Sequence, residues 1–518
     1  MRARSQALER PLALGLATLV LAVAIAPPVA AVIIPLLSTS PQLSLLFSAS
    51  LWRLFAQTLL LSLLVTSLSL GMGVPLGLLF ARARFPLRGA CFMLHLSALF
   101  LPPFLPALGW FHLLGRGGLL GSEWTSKLLF SEVGMVLVLT ACLAPGITAL
   151  TALGVSAVDA SLEEAARIVA GPLRTAVQII LPAAIPAVAL GGLLVFALAF
   201  SELGVPMFLR VQAYPAVIFA RLGGMDFAPG EAAIFVLPLM GLAVLLLWAE
   251  HRFAGRRAVS VLGHVAVRGA LFGGGWALPA GILCGAAALL SLAPLVGLLG
   301  QARSVPISEL VAWLGRAPWN SLRASLLAAA IVAPVALVVG HAVARGAALG
   351  RCLDALCMLA FLLPSSILGI GLISAWNRPA TAWVYGSAGI LVIAYVGRYA
   401  ALAIRVVSSS VAQVPITLEH AAQCVGAGFT RRLFLIVARL GWRGVAGGFA
   451  IAVVFELRDL ETAALFYPPG GEPLTVRILT LEANGPAPVV AALSIVHVAL
   501  TSSVLCLAAG LLRSRSHD

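Results

Sequence analysis

The chain alternates between long apolar runs and short polar, Arg-bearing segments, and the runs are too long for the period-2 pattern of strands. A bilayer-spanning helix needs about 20 mostly apolar residues. Twelve segments meet or approach that length, and each predicts a membrane helix: 11–37, 57–82, 88–114, 132–158, 183–208 and 229–250, then 270–299, 317–345, 350–376, 384–408, 441–466 and 487–512. The first run, after Arg2, Arg4 and Arg10, exceeds the 7–15 residues of a signal-peptide core and reads as an uncleaved helix.

Composition narrows the class. Over 518 residues, 61% are hydrophobic and 10% charged, against about 25% charged in soluble domains. A soluble enzyme, a disordered chain and a fibrous protein are thereby excluded. The net charge is +14, and Lys127 is the only Lys. The Arg residues sit in small groups between apolar runs, which points to the positive-inside rule and not to nucleic acid. Arg82, Arg84 and Arg88, then Arg252, Arg256 and Arg257, then Arg431, Arg432, Arg439 and Arg443, then Arg513 and Arg515 fall in alternate connections. Those connections and both termini are expected to be cytoplasmic. The seven Cys include no CxxC pair and read as small core residues.

The chain repeats itself. Leu162-Glu163-Glu164-Ala165-Ala166 returns as Leu418-Glu419-His420-Ala421-Ala422, Leu101-Pro102-Pro103 as Leu362-Leu363-Pro364, Gln57-Thr58-Leu59 as Asn320-Ser321-Leu322, and Ser201-Glu202-Leu203 as Arg458-Asp459-Leu460. The fold class expected is an all-α polytopic membrane protein of about twelve helices in two six-helix halves joined near 251–268. An even number per half makes the repeat parallel, with a pathway between the halves.

Between the fourth and fifth helices, Asp159 and Ser161 are candidate N-caps and Glu163 and Glu164 suit a first turn. Ala165, Ala166, Ile168 and Val169 form a small apolar face, Gly171-Pro172 breaks the helix, and a second short helix from about Leu173 ends at Leu181-Pro182. This stretch reads either as a surface helix that docks on a partner or as a plain amphipathic connector. The run Glu164-Ala165-Ala166, a following Gly, then Ile179-Ile180-Leu181-Pro182 resembles the EAA loop of ABC importer permeases. Its second copy is His420-Ala421-Ala422, then Gly426 and Ile436. The first copy departs by one extra residue between Ala166 and Gly171. The second departs by His420 in place of Glu and by Ala438-Arg439 in place of Leu-Pro.

The resemblance is to permeases with two fused MetI-like (binding-protein-dependent, type I) transmembrane domains, similar to iron(III) and thiamine transport permeases. It implies an N-terminal helix with its external loop (1–52), a first permease domain (53–250), a linker and seventh helix (251–315), a second permease domain (316–510) and a tail (511–518). It also implies coupling loops at Glu164, Ala165, Ala166, Gly171, Leu181 and Pro182, and at His420, Ala421, Ala422 and Gly426. These would seat two cytoplasmic ATPase subunits that hold the ATP, while a periplasmic or extracellular binding protein delivers the substrate. The location implied is the inner (plasma) membrane. The chain lacks the G-x-x-x-x-G-K-[ST] phosphate loop, so no cofactor is expected on it.

Charges inside the helices are costly and so mark a wet path or an internal partner. Glu202 late in helix 5, and Glu456, Asp459 and Glu461 in helix 11, are candidates for a path or gate. Arg458 could pair with Glu461 at i,i+3, and Arg398 is a weaker candidate of the same kind. Those acids could also simply be solvated near the interface. Tyr467–Ile478 reads as a turn-rich external loop and resembles the matching loop of iron(III)-type permeases, which implies an iron(III)-type cargo, with thiamine, polyamine or phosphonate as alternatives. No metal site is evident. An ion-coupled secondary transporter is the alternative class, and a membrane enzyme is disfavoured because no catalytic pair is present.

Overall fold

The computed structural model describes residues 2–38, 47–223, 229–249, 252 and 271–514. Most of the linker expected at 251–268 and residues 515–518 of the tail lie outside them. The principal helices are α1 (Arg2–Ser38), α2 (Ala49–Arg82), α3 (Arg88–Ser97), α4 (Phe104–Leu114), α5 (Glu132–Ser156), α6 (Ala160–Val169), α7 (Leu181–Ser201), α8 (Pro229–Ala249), α9 (Ala277–Ala302), α10 (Ala317–Ala344), α11 (Ala348–Leu362), α12 (Ser365–Trp376), α13 (Ala388–Ala412), α14 (Ile416–Cys424), α15 (Trp442–Leu457) and α16 (Ala487–Ser514). Among the described residues eight helices are long and apolar enough to cross a membrane, or up to eleven if each bent pair is one span. The shorter apolar run Val236–Ala249 in α8 is the further candidate. The protein is an all-α polytopic membrane protein.

Each half is built on three helices in mutual contact, α2, α5 and α7 in the first and α10, α13 and α15 in the second. Small residues permit the close approach, as membrane helix packing requires. A Cβ on Gly77 would lie 2.6 Å from the Thr151 Cβ, and one on Gly340 would lie 3.0 Å from the Ser408 amide.

Two expected spans bend by more than 100° within their length. The third folds as α3 and α4 with a 107° bend at Leu101-Pro102-Pro103, and the ninth as α11 and α12 with a 108° bend at Leu363-Pro364. Proline removes the amide that would continue the ladder and drives the residue before it out of the α region. The opposite correction applies to the short helix expected to end at Leu181-Pro182. The span runs unbroken from Pro172 to Ser201, because a five-residue π-turn at Ala176–Ile180 absorbs the irregularity. The second half has the same π-turn at Leu433–Val437, then bends by 82° between Leu440 and Trp442.

The first helix of each half packs on the other half. Helix α1 lies against α12, α10 and α13, and α9 lies against α3 and α4. The crossing points match. A Cβ on Gly371 would come within 2.1 Å of the Pro28 Cα, and one on Gly109 within 2.2 Å of the Pro294 carbonyl oxygen. The exchange ties the halves together by apolar contact away from the cavity between them.

The segment expected to be a turn-rich loop at Tyr467–Ile478 is a turn only at Pro468–Gly471. From Leu474 it is a helix, Leu474–Asn484, whose Leu474 and Ile478 are fully buried. Ser321 accepts the Leu474 amide at 2.8 Å, just as Thr58 accepts the Tyr214 amide at 2.9 Å in the first half.

Gly371→Leu or Gly109→Leu forces an exchanged helix off its seat. Overpacking of this kind costs typically 1–3 kcal/mol. Each variant in detergent should unfold several degrees lower, while Gly89→Leu, which meets no atom within 4 Å, should match the parent. Equal unfolding temperatures for all three would contradict the arrangement.

Candidate functional site

The loops between the fourth and fifth helices of each half have one design. In the first, the Asp159 carboxylate accepts the Ser161 amide at 2.9 Å and starts α6. Glu163, one residue before the EAA-like run, turns inward and meets Arg82 at 2.8 Å, both being almost fully buried. Arg82 also donates to the Val155 carbonyl at 3.2 Å. In the second loop Glu419 turns inward and meets His341 at 2.8 Å and Arg345 at 2.6 Å. Burial would raise the pKa of Glu419, but the hydrogen bonds and charges of His341 and Arg345 hold it below its ordinary value. Each loop is thus fixed to the end of α2 or α10, a core helix of its own half, by a carboxylate–guanidinium pair.

The outward faces are apolar. Ile168 and Val169 are 84% and 83% exposed and Val425 is 85% exposed, with Leu162, Leu173 and Leu418 beside them. Glu164, Ala165, Gly171, His420, Ala421 and Gly426 are exposed, Ala422 is partly so, and Ala166 is buried. The apolar face expected from Ala165, Ala166, Ile168 and Val169 therefore loses Ala166, whose phase on α6 is the inward one of Glu163, three residues earlier. Leu181 and Pro182 belong to the membrane helix α7. Glu163 and Glu419 are the one acid kept in both copies of the repeat, and the structure gives them a buried partner that the sequence does not show.

A second polar cluster lies where the halves meet at the far ends of α7 and α15. Glu202 is not inside a helix. It caps the end of α7, and its carboxylate accepts the Gly204 and Val205 amides at 3.2 and 3.3 Å. Helix α15 ends at Leu457, and a new helix, Glu461–Phe466, begins at Glu461. The i,i+3 pairing of Arg458 with Glu461 is therefore not made. Glu461 instead accepts the Leu203 amide of the first half at 2.7 Å, Ser365 Oγ at 2.6 Å and Arg398 at 3.4 Å. Arg398, ranked below the acids from the sequence, is central. It also donates to Thr462 at 3.1 Å and lies 3.9 Å from Asp459. Arg458 reaches across to the Leu99 carbonyl. Glu456 is wholly buried, with no hydrogen-bond partner on either carboxylate oxygen. Glu456, Asp459 and Glu461 are buried, and Glu202 is partly exposed.

Glu202, Arg398, Arg458, Asp459 and Glu461 line a cavity of about 40 Å³, room for two or three waters at roughly 10–15 Å³ each. A larger cavity of about 960 Å³ shares Leu198 and Phe455 with it. The large cavity runs between α5 and α7 on one side and α13 and α15 on the other, as far as Pro415 and Leu418 beside the second loop. Its lining is apolar except for a few groups, among them Ser409, Ser410, Gln413 and Arg443. Among the described residues, no three His, Cys, Asp or Glu are grouped to hold a metal ion.

No family profile matches the chain. Over 210 residues it is 34% identical to the molybdenum transport system permease protein ModB of Escherichia coli strain K12, covering 38% of this chain and 91% of that protein. Over 200 residues it is 26% identical to a Salmonella typhimurium protein that carries the name 2-aminoethylphosphonate transport system permease protein PhnV, covering 38% of this chain and 75% of that protein. Each match spans about the length of one half.

Removing one partner of a buried ion pair costs roughly 3–5 kcal/mol, because the other charge stays buried. Glu163→Ala and Arg398→Ala should each lower the unfolding temperature well beyond Glu164→Ala, whose side chain is exposed. Parent-like melting of both would contradict the pairing described.

Proposed function

The chain belongs to the permease subunits of ABC transport systems, and from that premise we propose that it carries both halves of an importer's substrate pathway in one polypeptide. The observation that supports this most is the 960 Å³ cavity between the halves. It reaches the second docking loop at one end and is walled off at the other by the Glu202–Arg398–Glu461 cluster. Two ATPase subunits would seat on α6 with Ile168 and Val169, and on α14 with Val425. Closure of those subunits would draw the loops together, narrow the cavity at that end and part the halves at the charged cluster. Glu461 and Arg458, which bond across the halves, would act as the gate, with Glu202 and Asp459 beside them and Glu456 behind. A binding protein would deliver the cargo at the charged end, and both termini would lie on the ATPase side of an inner membrane.

For the cargo we favour a small oxyanion-bearing solute over iron(III). The iron(III) expectation came from residues 467–478, and the relatives named above are not named for iron. A phosphonate group would suit a path in which Arg443 is a charged group on the wall of the large cavity. Phosphonate was among the alternatives open from the sequence.

The test is a mild-detergent pull-down of the tagged chain, read by mass spectrometry. A stoichiometric ATPase should copurify, and Val169→Asp with Val425→Asp should reduce its recovery at least tenfold without lowering the chain's unfolding temperature. A co-eluting binding protein, assayed against phosphonates, molybdate and iron(III), would decide the cargo. A chain that purifies alone and transports without ATP would favour the ion-coupled secondary transporter.

A further inference from the structure

Resting on the reading that residues 416–440 seat an ATPase, we propose that Glu9 is a positioning residue for the second docking loop, so that the two loops are held unequally. The limbs that return from the two loops begin alike. Gly171 and Gly428 each cap the following helix, with φ,ψ of −69°,167° and −65°,169°, and neither has a side chain to accept the first free amides. The first limb lessens the deficit by placing Pro172, which has no N–H, at the first helical position. The second has Phe429 there, and its deficit is met from outside. One carboxylate oxygen of Glu9 on α1 accepts both the Thr430 amide and the Thr430 hydroxyl at 2.9 Å. A negative group at a helix start also suits the amide dipoles.

The fit is tight on one side only. A Cβ on Gly428 would lie 2.5 Å and 2.6 Å from the two Glu9 oxygens, whereas one on Gly171 would meet nothing within 4 Å. The backbone at Gly428 is ordinary for any residue, so what a side chain there would displace is the Glu9 carboxylate, and φ sets no demand for glycine. Helix α1 is the arm seated on the second half, against α12, α10 and α13. Glu9 therefore binds the second docking loop's return limb to the same arm that clasps that half, and motion of the loop must carry α1 with it. In the first half, Arg82, the partner of Glu163 at the end of α2, is joined at the backbone to Leu271 and Phe272, just before α9. Among the described residues the limb after Gly171 has no equivalent carboxylate at its cap.

The experiment uses the full chain in lipid nanodiscs with its copurifying ATPase. A photocrosslinker is placed at position 169 or 425, and amide exchange is followed at Thr430. In Glu9→Ala, exchange at Thr430 should quicken at least tenfold. Crosslinking from position 425 should fall at least threefold, and that from position 169 should hold. Glu9→Asp should fall between Glu9→Ala and the parent. Gly428→Ala should reproduce the loss at 425, and the double variant Glu9→Ala, Gly428→Ala should be no worse than Glu9→Ala, because the clash goes with the carboxylate. Unchanged exchange at Thr430 overturns the cap. Quickened exchange with both crosslinks unchanged, or with both reduced equally, overturns the positioning role while the importer reading stands. If no ATPase copurifies with the parent, the importer reading falls and this proposal with it.

Discussion

Inside a bilayer a charge finds no water, so each one carried by these helices must be answered by another group of the same chain. The described residues meet that demand mainly at the two ends of the cavity, with Arg405 and Asp354 paired at 3.5 Å elsewhere and Glu456 left without a hydrogen-bond partner, and the rest of the molecule is arranged around those ends. At one end the answer is local. Arg82 with Glu163, and Arg345 and His341 with Glu419, fix each loop to the end of α2 or α10 in its own half. At the other end the answer crosses between halves, through Glu461 to the Leu203 amide and Arg458 to the Leu99 carbonyl. Between the two sets lies a largely apolar cavity that neither half closes alone.

The two-fold character of the sequence is real in the packing and extends in part to the charges. Glu202 and Asp459 are repeat mates, and each carboxylate accepts the amide three residues on, that of Val205 or Thr462, at the start of the short helix that follows. They differ in that Glu202 also accepts the Gly204 amide, whereas Asp459 sits near Arg398. The fifth span of the first half is continuous, and its mate bends by 82° beside Gly441 and Gly444. A Cβ on Gly444 would lie 2.1 Å from that of Ser410, so the bend brings the second half's wall close to its neighbour. A fused chain allows each half to diverge separately, so its walls need not keep exact symmetry.

Length and apolarity made the twelve helical segments legible, because burial in lipid imposes both on the sequence directly. Direction was not legible. Hydropathy cannot distinguish a straight 27-residue span from two short helices meeting at 107°, so the breaks at Pro102 and Pro364 had to be read from proline chemistry. Spatial neighbours were hidden for a related reason. Chain order places α1 beside α2, whereas the Gly371–Pro28 and Gly109–Pro294 crossings send each leading helix to the opposite half. The inward turn of Glu163, and not Glu164, depends on helix phase. Asp159 sets that phase at the cap, and a motif read as letters does not carry it. Arg398 was underweighted because its partners, Glu461 and Thr462, lie on a helix that the sequence had merged with α15.

The energetic scale of the far-end contacts bears on how such a pathway can switch. A hydrogen bond to a charged group contributes roughly 1.5–3 kcal/mol net. The two bonds that cross between halves there, Glu461 to Leu203 and Arg458 to Leu99, therefore hold that end shut by about 3–6 kcal/mol. Reversing a two-state population from 1:99 to 99:1 needs about 5.5 kcal/mol of differential binding. On the importer reading proposed above, such a lock would be strong enough to keep the cavity closed at rest and weak enough for partners seated on the two exposed apolar loops to reverse. Most of the cluster's hydrogen bonds remain within the second half, among Arg398, Asp459, Glu461 and Thr462, and those that cross run from Glu461 to the Leu203 amide and from Arg458 to the Leu99 carbonyl.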